Sequence, residues 1–230
     1  MSYVTPFDYL SDSIYFWIRT ISVKRNYDSI AWFYDRLSRL VYGQALVKAQ
    51  QYLLAAIPAN SRVLIVGGGT GWVLEEIAKI HAAGLSITYV DSSPKMIALA
   101  RERNACGNKV TFIAAAIEAI EPPDVYDVVL TPFLFDNFTD AGMRKVFAYL
   151  NNSLEPRGIW LFCDFRKTDV FWQRAMLKVM YLFFRMSCGI EAKELPKTEE
   201  CFAECGYKVK KHETFVKGFV VSTVYEKGVE

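Results

Sequence analysis

The segment that decides the fold is Arg62-Val63-Leu64-Ile65-Val66-Gly67-Gly68-Gly69-Thr70-Gly71. Four consecutive apolar residues, 63–66, are typical of a strand that is buried on both faces of a parallel sheet. The glycines that follow allow backbone amides to approach a ligand closely, because no Cβ stands in the way. A strand, a glycine loop and then a helix predict an open α/β sheet with a ligand at the carboxyl ends of its strands.

Strand and helix patterns alternate after this segment. A helix is predicted from Gly71 to about Ala83 with Gly84 as its stop, and another begins at Ser93-Pro94. This order predicts a doubly wound, Rossmann-like α/β sheet of about seven strands, mostly parallel, with a C-terminal antiparallel hairpin. The predicted strands are 62–66, 86–90, 109–114, 126–130 and 158–163, followed by the hairpin 207–214 and 219–226.

The two ends of the chain differ from this middle. Residues 1–57 carry no strong strand pattern and predict an N-terminal helical cap on a Rossmann-like domain, 58–230, the two forming one compact unit. Aromatic residues make up 15% of the chain, with concentrations in the first forty or so residues and around 165–184. We expect these segments to cover the ligand edge of the sheet, which favours a small apolar or aromatic substrate.

Composition excludes several classes of protein. The 230 residues include 27 Lys and Arg against 25 Asp and Glu, and 52% are hydrophobic. Such a chain is neither disordered nor basic enough to predict nucleic-acid binding. Five cysteines without a CxxC pair, and no signal peptide, predict a cytoplasmic protein with free thiols. No metal site and no integral membrane segment are predicted, and the choice between monomer and homodimer stays open.

Asp91 indicates what the glycine loop binds. It ends the second predicted strand about twenty residues after the loop, where a carboxylate can accept two hydrogen bonds from a ribose diol. A dinucleotide fingerprint that starts at Gly67 needs a third glycine at position 72, where this chain has Trp72. An NAD(P)-dependent enzyme is therefore an alternative that the sequence disfavours.

The loop instead has the form G-x-G-x-G. Together with Val90–Met96 and Tyr126–Leu130, it resembles the class I S-adenosylmethionine-dependent methyltransferases, over about residues 27–227. Residues 26–35 resemble the helix that precedes the core in the ubiquinone/menaquinone-type small-molecule branch. The resemblance implies S-adenosylmethionine as the cofactor and a small apolar or aromatic molecule as the methyl acceptor.

The resemblance also assigns cofactor contacts. It implies that the glycine loop lies beneath the methionine part, that Asp91 holds the ribose hydroxyls and that Ser92 and Met96 flank the adenine. It places Thr131 at the sulfonium end and Tyr34 within reach of the cofactor. The full set of expected cofactor residues is Gly67, Gly68, Gly69, Thr70, Gly71, Asp91, Ser92, Met96, Ala116, Ile117, Thr131 and Tyr34.

Two departures from the family pattern keep other functions open. Ile65 and Ala116 stand where the family often has acidic residues. Ile65 beside a triple glycine also resembles the aminopropyltransferases, although residues 131–136 match their acidic positions poorly. A cofactor-binding protein without catalysis is a further alternative. The sequence predicts no definite catalytic residue; Asp136 and Asp164 are candidates, because each follows or ends a strand on the ligand side of the sheet.

Overall fold

The structure, a computed structural model, describes residue 28 and residues 43–120 and 125–228. Within them, seven strands and six α-helices form a layered α/β unit. The helices are α1 (Ala45–Leu54), α2 (Trp72–Ile80), α3 (Pro94–Arg101), α4 (Asp140–Asn152), α5 (Phe171–Cys188) and α6 (Thr198–Glu204). The strands are β1 (Arg62–Val66), β2 (Ala83–Asp91), β3 (Gly107–Ala114), β4 (Tyr126–Pro132), β5 (Leu154–Phe165), β6 (Lys208–Phe215) and β7 (Val220–Glu226).

The seven strands form one sheet in the order β3-β2-β1-β4-β5-β7-β6. Strands β1 to β5 pair in parallel, and β7 pairs antiparallel to both of its neighbours. The predicted fold class is confirmed. Strand order reverses between β1 and β4, so a ligand-binding crevice is expected at the carboxyl ends of these two central strands.

The sheet is covered on both faces, which explains the unbroken apolar run of β1. Val63 and Ile65 pack on the side of α1, α2 and α3, whereas Leu64 and Val66 pack on the side of α4 and α6. Side chains of a strand alternate between faces, so a central strand with helices on both sides has no position for a polar residue. This burial holds the glycine loop at the end of β1 on a rigid support.

The largest aromatic cluster lies away from the ligand edge. On the face of α4 and α6, the Trp160 ring stacks on Phe147 at 4.8 Å, and the Phe202 ring stacks on Tyr225 at 3.9 Å between centroids. Phe162 and Tyr207 join the same cluster. These rings lie outside the two aromatic-rich segments of the chain, stabilise the core by about 0.5–1.5 kcal/mol per ring pair beyond area burial, and do not line the cavity.

Capping and stop residues in the sequence predicted where helices begin and end, and one of these predictions was wrong. Ser93 caps α3, since its Oγ accepts a hydrogen bond from the Met96 N–H at 3.1 Å. The prediction that Gly84 stops α2 was wrong, because α2 ends at Ile80 and Gly84 lies inside β2. The pairing of β2 with β3 shifts register between Ala83 and Ser86, and Gly84 lies in that irregular stretch.

The described part of the predicted N-terminal cap is attached to the sheet. Helix α1 buries Ala49, Leu53 and Leu54 in the core, and the Ser222 hydroxyl of β7 donates a hydrogen bond to the Ala49 carbonyl at 2.7 Å. Apart from Asp28, the rest of the cap before residue 43 lies outside the described residues, and the boundary at residue 57 stays a prediction. None of the helices described here is long and apolar enough to cross a bilayer.

Candidate functional site

A cavity of about 350 Å³ lies at the carboxyl ends of β1, β2 and β4. This volume is within the range of small-molecule sites. Backbone and polar groups line one end of the cavity, and apolar side chains line the other. The first end is formed by residues 67–70, Asp91, Ser92, Met96 and residues 115–118; the second is formed by Phe133, Leu134, Phe165, Met176, Val179, Met180, Phe183 and Phe184.

The glycine loop rests on a buried tyrosine. Tyr89 is fully buried, and its hydroxyl donates a hydrogen bond to the Gly69 carbonyl at 3.1 Å. A Cβ on Gly68 would lie 2.3 Å from that hydroxyl, so only glycine fits between the loop and Tyr89. Gly69 adopts φ +64°, with open space where a Cβ would project. A ligand can therefore approach the backbone amides of the loop closely, and the Tyr89 hydroxyl holds the loop in place from the side of the sheet.

Asp91 is buried where the loop meets the end of β2. Its two carboxylate oxygens accept hydrogen bonds from the Gly69 N–H at 3.0 Å and from the Ser93 N–H at 2.9 Å. Burial raises the pKa of Asp91, although these two donors favour the charged form. Each oxygen of an ionised carboxylate can accept a second hydrogen bond, so Asp91 can also hold a diol.

A residue of the N-terminal region contacts the start of α3, just after Asp91. The Ser93 hydroxyl donates a hydrogen bond to Oδ1 of Asp28 at 2.5 Å, and the Lys95 N–H donates to the same oxygen at 3.2 Å. Asp28 belongs to the 26–35 segment that resembles the family's first helix. Tyr34, in the same segment, lies outside the described residues, so its predicted contact stays a prediction.

Two of the expected cofactor residues do not line the cavity. Gly71 precedes α2 and packs against Ala100 of α3. Thr131 is fully buried, and its hydroxyl accepts a hydrogen bond from the Trp160 indole N–H at 2.9 Å. Alternation along β4 turns Thr131 to the face of the aromatic cluster, and its successors Pro132 and Phe133 line the cavity instead.

The two candidate catalytic aspartates lie side by side. Asp136 and Asp164 are buried, and Oδ2 of Asp164 accepts hydrogen bonds from the N–H groups of Phe135 at 3.0 Å and of Asp136 at 3.3 Å. Burial and the charge of Asp164 raise the pKa of Asp136, and burial raises the pKa of Asp164 to about 7. Two such carboxyl groups do not both ionise readily, so the pair holds a proton near neutral pH.

A tyrosine of α5 completes this group. Tyr181 is 5% exposed, and its hydroxyl has no hydrogen-bond partner among the described residues. Burial raises the pKa of Tyr181, and the charges of Asp136 and Asp164 raise it further. Asp136 lines both the cavity and a neighbouring open groove of about 1150 Å³ that also contains Asp164. Asp136 therefore lies between the two spaces, with Asp164 on the side of the groove.

Sequence reasoning missed several residues of the site. Glu118 lines the cavity two positions after Ala116, where the family often has an acidic residue. The presence of a carboxylate so close to that position was the available signal in the sequence. Tyr89 carries a hydroxyl in an otherwise apolar stretch two residues before Asp91, which was a weaker signal. Tyr181 had no usable signal in an aromatic-rich helix. Among the described residues no cluster of three or more His, Cys, Asp or Glu side chains suits a metal ion.

Similarity to known proteins agrees with this geometry. Residues 63–158 match a family model described as a methyltransferase domain. The malonyl-[acyl-carrier protein] O-methyltransferase of Bacillus cereus is 30% identical over 149 residues, which cover 62% of this chain and 52% of that protein. The demethylmenaquinone methyltransferase of Tropheryma whipplei is 24% identical over 148 residues, covering 64% and 60%. The chain thus spans little more than half the length of these curated relatives.

The fold also matches solved structures. The N-methyltransferase NodS from Bradyrhizobium japonicum, in complex with S-adenosyl-L-homocysteine, superposes with a TM-score of 0.60 at 15% identity, over 79% of this chain and 85% of that one. At this identity the match concerns the fold alone. The matched domain, the strand order and the glycine loop held by Asp91 together make the chain similar to the class I S-adenosylmethionine-dependent methyltransferases.

Proposed function

We propose that this chain is an S-adenosylmethionine-dependent methyltransferase that acts on a small apolar or aromatic acceptor. The observation that carries the proposal is the two-ended cavity. Its polar end is built from the glycine loop and Asp91, and its apolar end lies under α5. A methyltransferase needs a donor site and an acceptor site in one cavity, because the accepting atom must be aligned with the methyl group of the donor for transfer to occur.

The polar end suits the cofactor. The carboxylate of Asp91 would accept from the ribose hydroxyls, and the Gly67–Gly69 backbone would contact the methionine part. Ser92, Met96 and the 115–118 segment would enclose the adenine. Glu118 in that segment offers a carboxylate close to the position where Ala116 lacks one. When bound, S-adenosylmethionine supplies an electrophilic methyl group.

The apolar end suits the acceptor. Met176, Met180 and Phe183 of α5 line it, and such side chains exclude water and favour an apolar or aromatic ligand. A hydroxyl or amine acceptor loses a proton when it is methylated. In our proposal Asp136, which lines the cavity, takes that proton when it is ionised and is the catalytic residue, and Asp164 accepts the Asp136 backbone N–H as its positioning residue.

We also place this activity in the cytoplasm and exclude nucleic acid from its substrates. None of the five cysteines, all of which lie in the described part of the chain, forms a disulfide, which suits a reducing compartment. Lys and Arg outnumber Asp and Glu by 27 to 25, which gives no general attraction for nucleic acid. The choice between monomer and homodimer stays open, as does the finer nature of the acceptor.

The proposal is tested by following a labelled methyl group. Purified protein is incubated with methyl-labelled S-adenosylmethionine and a panel of phenols, hydroxylated quinones, apolar amines, charged metabolites, RNA and protein. We expect label in apolar or aromatic members of the panel, and its loss in Asp136→Asn with cofactor binding retained. Label only in charged metabolites or macromolecules would contradict the proposed acceptor, and cofactor binding without transfer to any of them would indicate a binding protein.

A further inference from the structure

The outer face of α5 carries an apolar stripe. Phe171, Val179, Leu182 and Met186 are 83%, 66%, 59% and 80% exposed. At 3.6 residues per turn, these positions and the exposed Ala175 fall in one row along the helix, which we call the outer stripe. Side chains this large and this exposed in a continuous row indicate an interaction surface and not scattered surface residues.

Cationic side chains accompany the outer stripe. Arg174, Lys178 and Arg185 are exposed and fall in a second row, within an arc of about 40° along one side of the stripe. Helix α5 has no acidic residue, and the whole segment 166–188 has Asp169 as its single acid against five basic residues. The complete chain, by contrast, is nearly balanced at 27 basic to 25 acidic residues. The charge of this face is thus a local feature.

The outer stripe is continuous with the cavity. Val179 belongs to the stripe and also lines the cavity, and Phe183 lies one turn further along the same edge of the helix. Met176 and Met180 continue the apolar surface inward. A surface that docks against the outer stripe therefore faces the opening of the acceptor end.

We propose that α5 lies on an anionic lipid surface and that the apolar acceptor enters the cavity from that surface past Val179. An amphipathic helix with an apolar stripe beside a cationic row lies in the plane of an anionic bilayer, with the cations at the headgroups. The entry of an acceptor rests on the proposed function, whereas the docking does not.

The docking is tested by sedimentation of the full chain with lipid vesicles. One set contains phosphatidylcholine alone, and the other contains about one quarter phosphatidylglycerol, enough to give an anionic surface. We expect binding to the anionic set that weakens as salt is raised, and little binding to the neutral set. The triple variant R174Q/K178Q/R185Q should weaken binding about a hundredfold, because each basic residue contributes on the order of 1 kcal/mol.

Two control variants on β6 match the charge-removing and the apolar-to-polar substitutions on α5. The variant K208Q/K210Q/K211Q removes three exposed lysines from β6 and should leave vesicle binding within about twofold, since β6 is not part of the docking face. Leu182→Ser should weaken binding about tenfold through lost burial of one leucine. Val209→Ser alters a β6 side chain that is also 59% exposed and should have no effect.

Four outcomes overturn the docking. These are no binding of the wild-type chain to anionic vesicles, equal loss in the β6 triple variant, capture by a protein partner in place of lipid, or a dimer that Leu182→Ser dissociates. Vesicle binding without methyl transfer would contradict the proposed function and leave the docking intact. Transfer that is no faster for an apolar acceptor delivered in anionic vesicles would contradict entry from the lipid surface.

Discussion

The two ends of the cavity are built in different ways. The cofactor end consists of backbone held by buried groups of the sheet: Tyr89 supports the Gly69 carbonyl, and Asp91 accepts from the Gly69 and Ser93 amides. The acceptor end consists of side chains, most of them from one helix, among them half-buried Met180 and Phe183. Under the proposed function, recognition of the cofactor would depend on a few hydrogen bonds, whereas recognition of the acceptor would depend on many replaceable apolar contacts.

The first prediction removes the carboxylate of the cofactor end. Asp91→Ala should weaken binding of S-adenosylmethionine about a hundredfold or more, because two hydrogen bonds to a charged acceptor contribute about 1.5–3 kcal/mol each. The effect is measured by isothermal titration calorimetry. As a control, Asp127→Ala removes a carboxylate that pairs with Arg62 at the opposite ends of the strands and should leave the affinity unchanged. Similar affinity in both variants would mean that Asp91 does not hold the ribose.

The second prediction concerns the buried pair Asp136 and Asp164, of which Asp136 lines the cavity. Burial raises the pKa of both carboxyl groups, that of Asp164 to about 7, so the contribution of the pair to stability is fully present below about pH 4 and is lost as the pH rises through about 7. Asp136→Asn should therefore raise the free energy of unfolding at pH 8 by about 2 kcal/mol more than it does at pH 4. Urea unfolding at both pH values measures this. Exposed Asp169→Asn serves as the control; an equal gain there, or none at Asp136, would rule out a buried coupled pair.

The third prediction separates conformational strain from ligand contact in the glycine loop. Gly69 and Gly206 adopt φ +64° and +68°, and a Cβ at either position meets no atom within 4 Å. Alanine at either position should therefore cost a similar amount, about 1 kcal/mol, in thermal unfolding. Gly69→Ala alone should also reduce cofactor affinity, since its methyl group enters the cavity. Unchanged affinity would mean that the cofactor does not contact the loop at this residue.

The smallest effect is expected at the acceptor end. Phe183→Ala should change the affinity for S-adenosylmethionine by less than about twofold and cost about 1 kcal/mol or less in stability, because Phe183 is half-buried. Phe135→Ala, at a fully buried ring of the aromatic cluster, should cost about 3–5 kcal/mol. Fluorescence-monitored unfolding and calorimetry make this comparison. A large loss of cofactor affinity in Phe183→Ala would show that the two ends are not separate.

The cofactor end of the cavity could be predicted from the sequence more fully than the acceptor end. The cofactor end follows local rules: a buried strand before the glycines, Asp91 at the next strand end and the cap at Ser93 were all visible as short patterns. The side-chain direction of Thr131 was not, since it depends on the register of β4 against Trp160 on β5. The aromatic-rich segment around 165–184 does reach the cavity, which Phe165, Phe183 and Phe184 line, but composition alone does not distinguish such rings from a core ring such as Trp160.

Contacts between distant segments were beyond sequence reasoning for a different reason. Asp136 and Asp164 were each placed on the ligand side of the sheet, but their proximity depends on how the turn after β4 folds over the end of β5. Tyr181 joins them through the packing of α5, which no local pattern specifies. Such groups are identified when burial and partners are known, and the raised pKa values follow from both.

The most direct test of the account is a calorimetric titration of the wild-type chain with S-adenosylhomocysteine, S-adenosylmethionine and NADH. We expect both adenosyl ligands to bind at one site with dissociation constants of about 1–100 μM, corresponding to roughly −8 to −5.5 kcal/mol, and NADH to bind far more weakly. Absence of binding to either adenosyl ligand at millimolar concentration, or tighter binding of NADH, would contradict the assignment of the glycine loop and Asp91 to this cofactor.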